Sequence, residues 1–91
     1  MDEATFRTEI AAAGCKEFKT VEWEAGRANP EHAHDFNAHG FILRGEFTLT
    51  TADWSRCLKA GDTFALTAGT AHTETTGPQG VEILSGRVYL N

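Results

Sequence analysis

The spacing of apolar residues changes once along this chain, and the change limits the folds that are open to it. Up to Gly14 the apolar side chains recur at a helical interval, whereas from Lys16 onward they alternate with polar ones in short runs. Turn-forming residues separate these runs roughly every ten residues. A chain with this pattern is expected to fold as an all-β barrel or sandwich behind a short N-terminal helix.

The same pattern places the individual elements. A helix is predicted over residues 3–13, because Phe6 and Ile10 share one face and Gly14 is a natural stop. Turns are predicted at Gly45 and at 77–80, so strands should end there. The predicted strands are 18–23, 41–43, 46–50, 54–58, 64–66, 71–76, 81–83 and 88–90. We divide the chain into an N-terminal helical segment, 1–15, and a single β-barrel domain, 16–91.

Composition disfavours several classes of partner. The 91-residue chain has a formal net charge of −5, and its lysines and arginines are spread singly, which argues against nucleic acid and anionic membranes. A neutral or positively charged small molecule fits this balance better. Residues 1–5 lack the apolar core of a secretory signal, and no apolar run approaches the ~20 residues of a membrane span. We expect a soluble, cytoplasmic protein in which Cys15 and Cys57 are free thiols.

The histidines form the strongest chemical signal. There are four, namely His32, His34, His39 and His72. Residues i and i+2 of a strand point to the same face, so the His32-Ala33-His34 pair would present two imidazoles to one point. Imidazole is the commonest metal ligand in proteins, and two from one strand need only one or two further ligands. The sequence therefore predicts a metal site.

Seven residues at fixed spacings resemble the two motifs of the cupin family. The family's motifs read Gly-x5-His-x-His-x3-4-Glu-x6-Gly and Gly-x5-Pro-x-Gly-x2-His-x3-Asn. The residues that match, in order, are Gly26, His32, His34, Gly45, Gly61, Gly69 and His72. The resemblance covers residues 16–90 and implies the cupin double-stranded β-helix, a jelly-roll barrel, with His32, His34 and His72 as metal ligands.

The resemblance fails at the position of the family's glutamate ligand. Counting back from Gly45 places that position at Ala38, which cannot bind a metal. His39 could fill the gap if the loop after His34 absorbs one residue, but neighbours on a strand point to opposite faces, which argues against it. Asp35, Asn37 or water are further alternatives. His39 is therefore kept as a fourth candidate ligand.

Glu74 is the candidate catalytic residue. It follows His72 by two positions, so on one strand both side chains face the same way. A carboxylate that faces a metal pocket could support the ligands, bind a substrate amine or transfer a proton. Alternatively, a bulge turns Glu74 to solvent.

The resemblance implies a divalent transition metal but no single reaction. The expected ion is Zn, Ni, Fe or Mn, and nitrogen-only ligation favours zinc, nickel, copper or iron over magnesium or calcium. The protein is expected to be a small metal-binding cupin, such as a small-molecule oxygenase or isomerase. The alternatives are a non-catalytic module that binds or senses a small ligand, and a structural cupin without metal. A homodimer is expected, with Trp23 and Trp54 as anchors.

Overall fold

Two long antiparallel strands carry the rest of the fold. The computed structural model describes residues 1–89. In chain order its elements are α1 (Glu3–Ala12), β1 (Phe18–Trp23), β2 (Ala28–His32), β3 (Phe36–Thr51), β4 (Ser55–Lys59), β5 (Thr63–Leu66) and β6 (His72–Tyr89). The all-β fold with a short N-terminal helix is confirmed. Leu90, the predicted end of the last strand, lies outside the described residues.

β3 and β6 pair along nearly their whole lengths, from Phe36 opposite Tyr89 to Thr51 opposite His72. Each long strand also pairs with two short strands, one along each half of its length. The first half of β3 pairs with β5 and the second with β4. The first half of β6 pairs with β2 and the second with β1. Because both long strands serve both halves, the sheet wraps around one interior, as expected for a jelly-roll barrel.

The turns predicted at Gly45 and at 77–80 do not end strands, and that prediction was wrong. The β3–β6 register shifts between Gly45 and Phe47, where β6 passes through residues 77–80 while β3 advances by two. Gly45 and Gly80 both have positive φ, +83° and +74°, and a Cβ on Gly45 would lie 2.1 Å from the Gly80 carbonyl oxygen. Two glycine bends face each other, so both strands bend together and continue.

Strand β2 was missed by the sequence pattern. Asn29 and Pro30 read as punctuation, yet Ala28–His32 pairs with β6. Within residues 1–89 this strand pairs on one side only, and a proline is tolerated on such an edge because its missing N–H interrupts no ladder.

Two apolar clusters lie on opposite faces of the sheet. The interior cluster consists of Ile42, Phe47, Leu49, Leu58, Leu66, Val81 and Ile83. On the outer face, α1 packs Phe6 against Phe41 and Leu84, with the two phenyl centroids 5.6 Å apart. Burying Phe6 stabilises the docked helix by about 2–3 kcal/mol. The helix therefore covers the outer face and leaves the barrel interior free for a site.

The two tryptophans expected as dimer anchors have different surroundings. Trp23 packs into the interior cluster, 5.7 Å from the Phe47 ring. Trp54 lies in the turn between β3 and β4 and is 36% exposed. Only Trp54 is therefore available on the surface, and the homodimer stays a prediction. No helix within residues 1–89 is long and apolar enough to cross a membrane.

The facing glycine bends can be tested with a matched pair of alanine substitutions. Gly45 and Gly61 both have positive φ, but a Cβ on Gly61 would meet nothing within 4 Å. G61A should cost about 1 kcal/mol of unfolding free energy from backbone strain alone. G45A should cost about 3 kcal/mol or more, because the methyl also strikes the Gly80 carbonyl. Urea unfolding measures both, and equal losses would contradict the role given to Gly45.

Candidate metal centre

Three of the four histidines meet inside the barrel. One nitrogen from each of His32, His34 and His72 lies within 4.8 Å of the other two. The ring centroids of His32 and His72 are 4.3 Å apart, and that of His34 is 4.9 and 5.3 Å from them. These are the three residues that the two sequence motifs single out. The structure does not bring His39 into this group.

Strand pairing and one loop contact place the three rings. His32 lies directly opposite His72 in the β2–β6 pair, so the register of that pair brings the two motifs together. His34 lies beyond the end of β2, not on the same strand as expected. The Gly69 amide donates to the His34 carbonyl at 2.8 Å, and the His34 ring stacks on Phe36 with centroids 4.7 Å apart.

Backbone carbonyls orient two of the imidazoles. His32 Nδ1 lies 2.8 Å from the Pro30 carbonyl oxygen, and His72 Nδ1 lies 2.9 Å from that of Thr70. A carbonyl only accepts, so each Nδ1 carries the proton, and Nε2 of the neutral ring presents a lone pair. His72 Nε2 is buried without a hydrogen-bond partner among the described residues. A buried, unpaired nitrogen aimed at two other imidazoles fits a metal ligand.

Glu74 faces the histidines and not the solvent. Its two carboxylate oxygens lie 3.6 Å from His32 Nε2 and 3.7 Å from His72 Nε2, and the residue is 8% exposed. Asn29, directly opposite Glu74 in the β2–β6 pair, donates its side-chain amide to one of those oxygens at 2.9 Å. Asn29 was missed by the sequence reasoning, because only the strand register reveals its partner.

Ala38, at the position of the family's glutamate, also faces the barrel interior. Ala38 packs against the interior cluster and lines the cavity beside the histidines, so a methyl group stands where the resemblance expects a carboxylate. His39 is the next residue on β3 and does not line that cavity, as strand alternation requires. Asn37 is engaged elsewhere, since its side-chain oxygen accepts from the Ala68 amide at 2.8 Å.

The three histidines open onto a cavity of about 430 Å³. This volume is in the range of small-molecule sites. Its apolar walls include Trp23, Phe36, Phe47, Phe64, Leu66 and Ile83, and its polar lining includes two arginines, Arg27 and Arg87. A groove of about 610 Å³ outside the barrel, between the end of α1, β1 and β6, contains none of the histidines. The interior cavity is therefore the candidate site.

Burial lowers the pKa of His34. Desolvation is the largest effect that lowers this pKa. The charges of His32, His72 and Arg87 lower it further, whereas the charge of Glu74 raises it. Neutral imidazole is the form that binds metal ions. The electrostatics near neutral pH therefore suit a metal ligand set.

A jelly-roll barrel with three histidines facing its cavity defines the class: a β-barrel protein with a candidate metal centre. A family model described as a cupin domain matches residues 19–90, and the chain belongs to the cupin family. The predicted family and fold are thereby confirmed. A search of curated proteins finds no match.

Solved structures share this fold. KdgF from Halomonas sp. has a TM-score of 0.67 and 21% identity, covering 81% of this chain and 69% of that one. An RmlC-like cupin from Shewanella frigidimarina has a TM-score of 0.71 and 20% identity, covering 81% and 66%. The DMSP lyase DddQ from Ruegeria pomeroyi has a TM-score of 0.72 and 26% identity, covering 78% and 36%. The chain thus spans just under two thirds of the second structure and about a third of the third.

The response of the histidine ring signals to added Zn²⁺ separates His39 from the cluster. Burial alone lowers the pKa of His39, so in the metal-free protein its ring should titrate below the usual range of histidine in an NMR pH series. The unfolded chain takes up that proton more readily, so His39 lowers the free energy of unfolding as the pH falls below its usual pKa. Added Zn²⁺ should shift the ring signals of His32, His34 and His72 and leave those of His39 in place. A zinc-induced shift of His39 would make it a ligand.

Proposed function

We propose that this protein binds one divalent transition-metal ion through His32, His34 and His72 and acts there on a small molecule held in the cavity. The observation that supports this most directly is the buried Nε2 of His72, which has no hydrogen-bond partner among residues 1–89 and belongs to the group of three imidazoles. In the interior such an atom is costly by about 1–3 kcal/mol unless it finds a partner. A metal ion supplies that partner.

The donor set narrows the choice of ion. Three imidazoles beside one carboxylate suit Zn, Ni, Fe or Mn, whereas Mg and Ca prefer all-oxygen surroundings. When bound, such an ion supplies Lewis-acid polarisation to an oxygen atom of the small molecule.

Glu74 favours proton transfer as the reaction type. Its carboxylate is buried, held by Asn29 and within 3.7 Å of two candidate ligand nitrogens. In the proposed reaction the small molecule is an α-hydroxy carbonyl compound, and Glu74 accepts the proton from its hydroxyl-bearing carbon. The electron pair of that C–H bond forms a carbon–carbon double bond while the carbonyl π electrons move to the carbonyl oxygen. Glu74 then returns the proton to the former carbonyl carbon as the hydroxyl proton passes to the oxygen on that carbon, which leaves the carbonyl on the neighbouring carbon. The net change is an isomerisation that needs no oxidant or second substrate. The apolar walls of the cavity exclude water from the exchange.

A second candidate function is binding or sensing without catalysis. Ala38 favours it, because this chain lacks the carboxylate ligand that the cupin motif carries at that position. The two functions differ in whether Glu74 exchanges protons with the bound molecule. A measurement of metal binding alone would not distinguish them.

Metal binding is tested by replacing one member of the cluster. Wild-type protein, prepared without a histidine tag, should hold about one transition-metal ion per chain, and at 100 times Kd the ion should stabilise it by about 2.7 kcal/mol. H34A should lose at least a hundredfold in metal affinity and the chelator-sensitive part of its thermal stability. H39A is the matched control, since His39 lies outside the cluster. Elemental analysis and melting curves give both readouts, and full occupancy in H34A would contradict the proposed site.

The role of Glu74 is tested with E74Q, which keeps the shape and removes the charge. Metal affinity should fall about 10- to 100-fold, as for other groups that support ligands. With metal restored, exchange of carbon-bound hydrogen for deuterium in short hydroxy and keto acids should stop, as followed by NMR. E82Q, on the same strand but outside the cavity lining, should behave as wild type. Exchange that persists in E74Q would remove Glu74 from catalysis, and no exchange in wild type would favour the binding module.

A further inference from the structure

The cavity contains two arginines in different electrostatic situations. Arg27 lies 5.3 Å over the Trp23 ring, forms an ion pair with Glu24 at 3.8 Å and donates to the Asn29 side-chain oxygen at 3.0 Å. Arg87 is exposed and lines both the cavity and the outer groove, and no carboxylate among residues 1–89 lies within 4.0 Å of its guanidinium nitrogens. Within residues 1–89 the guanidinium donates one hydrogen bond, to the Tyr89 hydroxyl at 3.4 Å. Arg87 is therefore a charged donor with most of its capacity available.

A stack of rings fixes Arg87 relative to the candidate metal centre. Its guanidinium carbon lies 4.5 Å from the centroid of Phe36, whose ring in turn stacks on His34 at 4.7 Å with an interplanar angle of 20°. The two separations put the guanidinium within roughly 9 Å of the His34 ring.

The local charge differs in sign from that of the whole chain. The net charge of −5 suggested a neutral or cationic ligand. Of the described residues that line the cavity, however, Glu74 is the sole carboxylate, and it is held by Asn29. With a divalent ion at the three histidines and Arg87 in the lining, the positive charges of the cavity would outnumber the one negative charge, which favours an anion.

We propose that Arg87 binds the carboxylate of a small organic acid whose second oxygen function lies at the three-histidine centre. A guanidinium presents parallel N–H donors that match the two oxygens of a carboxylate, which is why arginine recognises planar anions. The separation admits a bridge of roughly two to four carbon atoms between the two ends. The substrate class is therefore the short hydroxy, keto or dicarboxylic acids. The contact between the second oxygen function and the three-histidine centre rests on the proposed function, whereas the contact between the carboxylate and Arg87 does not.

Calorimetry with defined acids tests the assignment. The probes are succinate, glutarate and 4-oxopentanoate, their neutral amides, and inorganic phosphate, each titrated into zinc-loaded protein. R87Q should weaken binding of the acids about 10- to 100-fold, with zinc content and melting temperature unchanged. R87K should recover part of the loss. R44Q is the matched control and should change binding less than threefold, because Arg44 lies outside the cavity lining and is ion-paired with Glu22.

The outcomes separate this proposal from the metal site. Equal affinity of wild type and R87Q for the acids would overturn the role of Arg87, and neutral amides that bind as well as the acids would do the same. Phosphate that binds more tightly than every acid would overturn the carboxylate class. If the protein takes up no metal, the proposed function fails, yet a difference between wild type and R87Q in binding of the acids to metal-free protein would still support the carboxylate contact.

Discussion

The antiparallel register between β6 and its partners is the constraint on which the site depends. β6 pairs with β3 along one edge and with β2 and β1 along the other, so a single strand positions both halves of the barrel. On its β2 side that register sets His72 opposite His32 and Glu74 opposite Asn29. A shift of one residue would turn both β6 side chains to the other face. Fold and site are thus determined by the same hydrogen-bonded ladder.

The glycine bends explain how β6 can pair with β1 along one half of its length and with β2 along the other. Gly45 and Gly80 let the backbones approach more closely than any side chain allows, and the register changes there without either strand ending. Beyond the bend, β6 is free to pair with β2 and not with β1. The stretch 77–80 therefore separates the half of β6 that contains His72 and Glu74 from the half whose Leu84 packs against the outer helix.

Local patterns in the sequence predicted the parts of this structure that local chemistry decides. The helix around Phe6 follows from spacing and a glycine stop, and the convergence of the three histidines follows from motif spacings that resemble the cupin family. The continuity of β3 through Gly45 could not be predicted, because it depends on a second glycine in a strand distant in sequence. Asn29 and Arg87 were missed for a similar reason: their partners lie on paired strands that are distant in the sequence and have no fixed offset along the chain.

The loss of the family's glutamate at Ala38 does not leave the cavity without a carboxylate. Glu74 brings one from a different strand to within 3.7 Å of two Nε2 atoms. Those nitrogens present lone pairs, because their Nδ1 protons are bonded to backbone carbonyls. A buried carboxylate that faces two lone pairs is repulsive unless a positive charge lies between them. We infer that the arrangement is built around a cation, and that Glu74 supplies the negative charge that the alanine cannot.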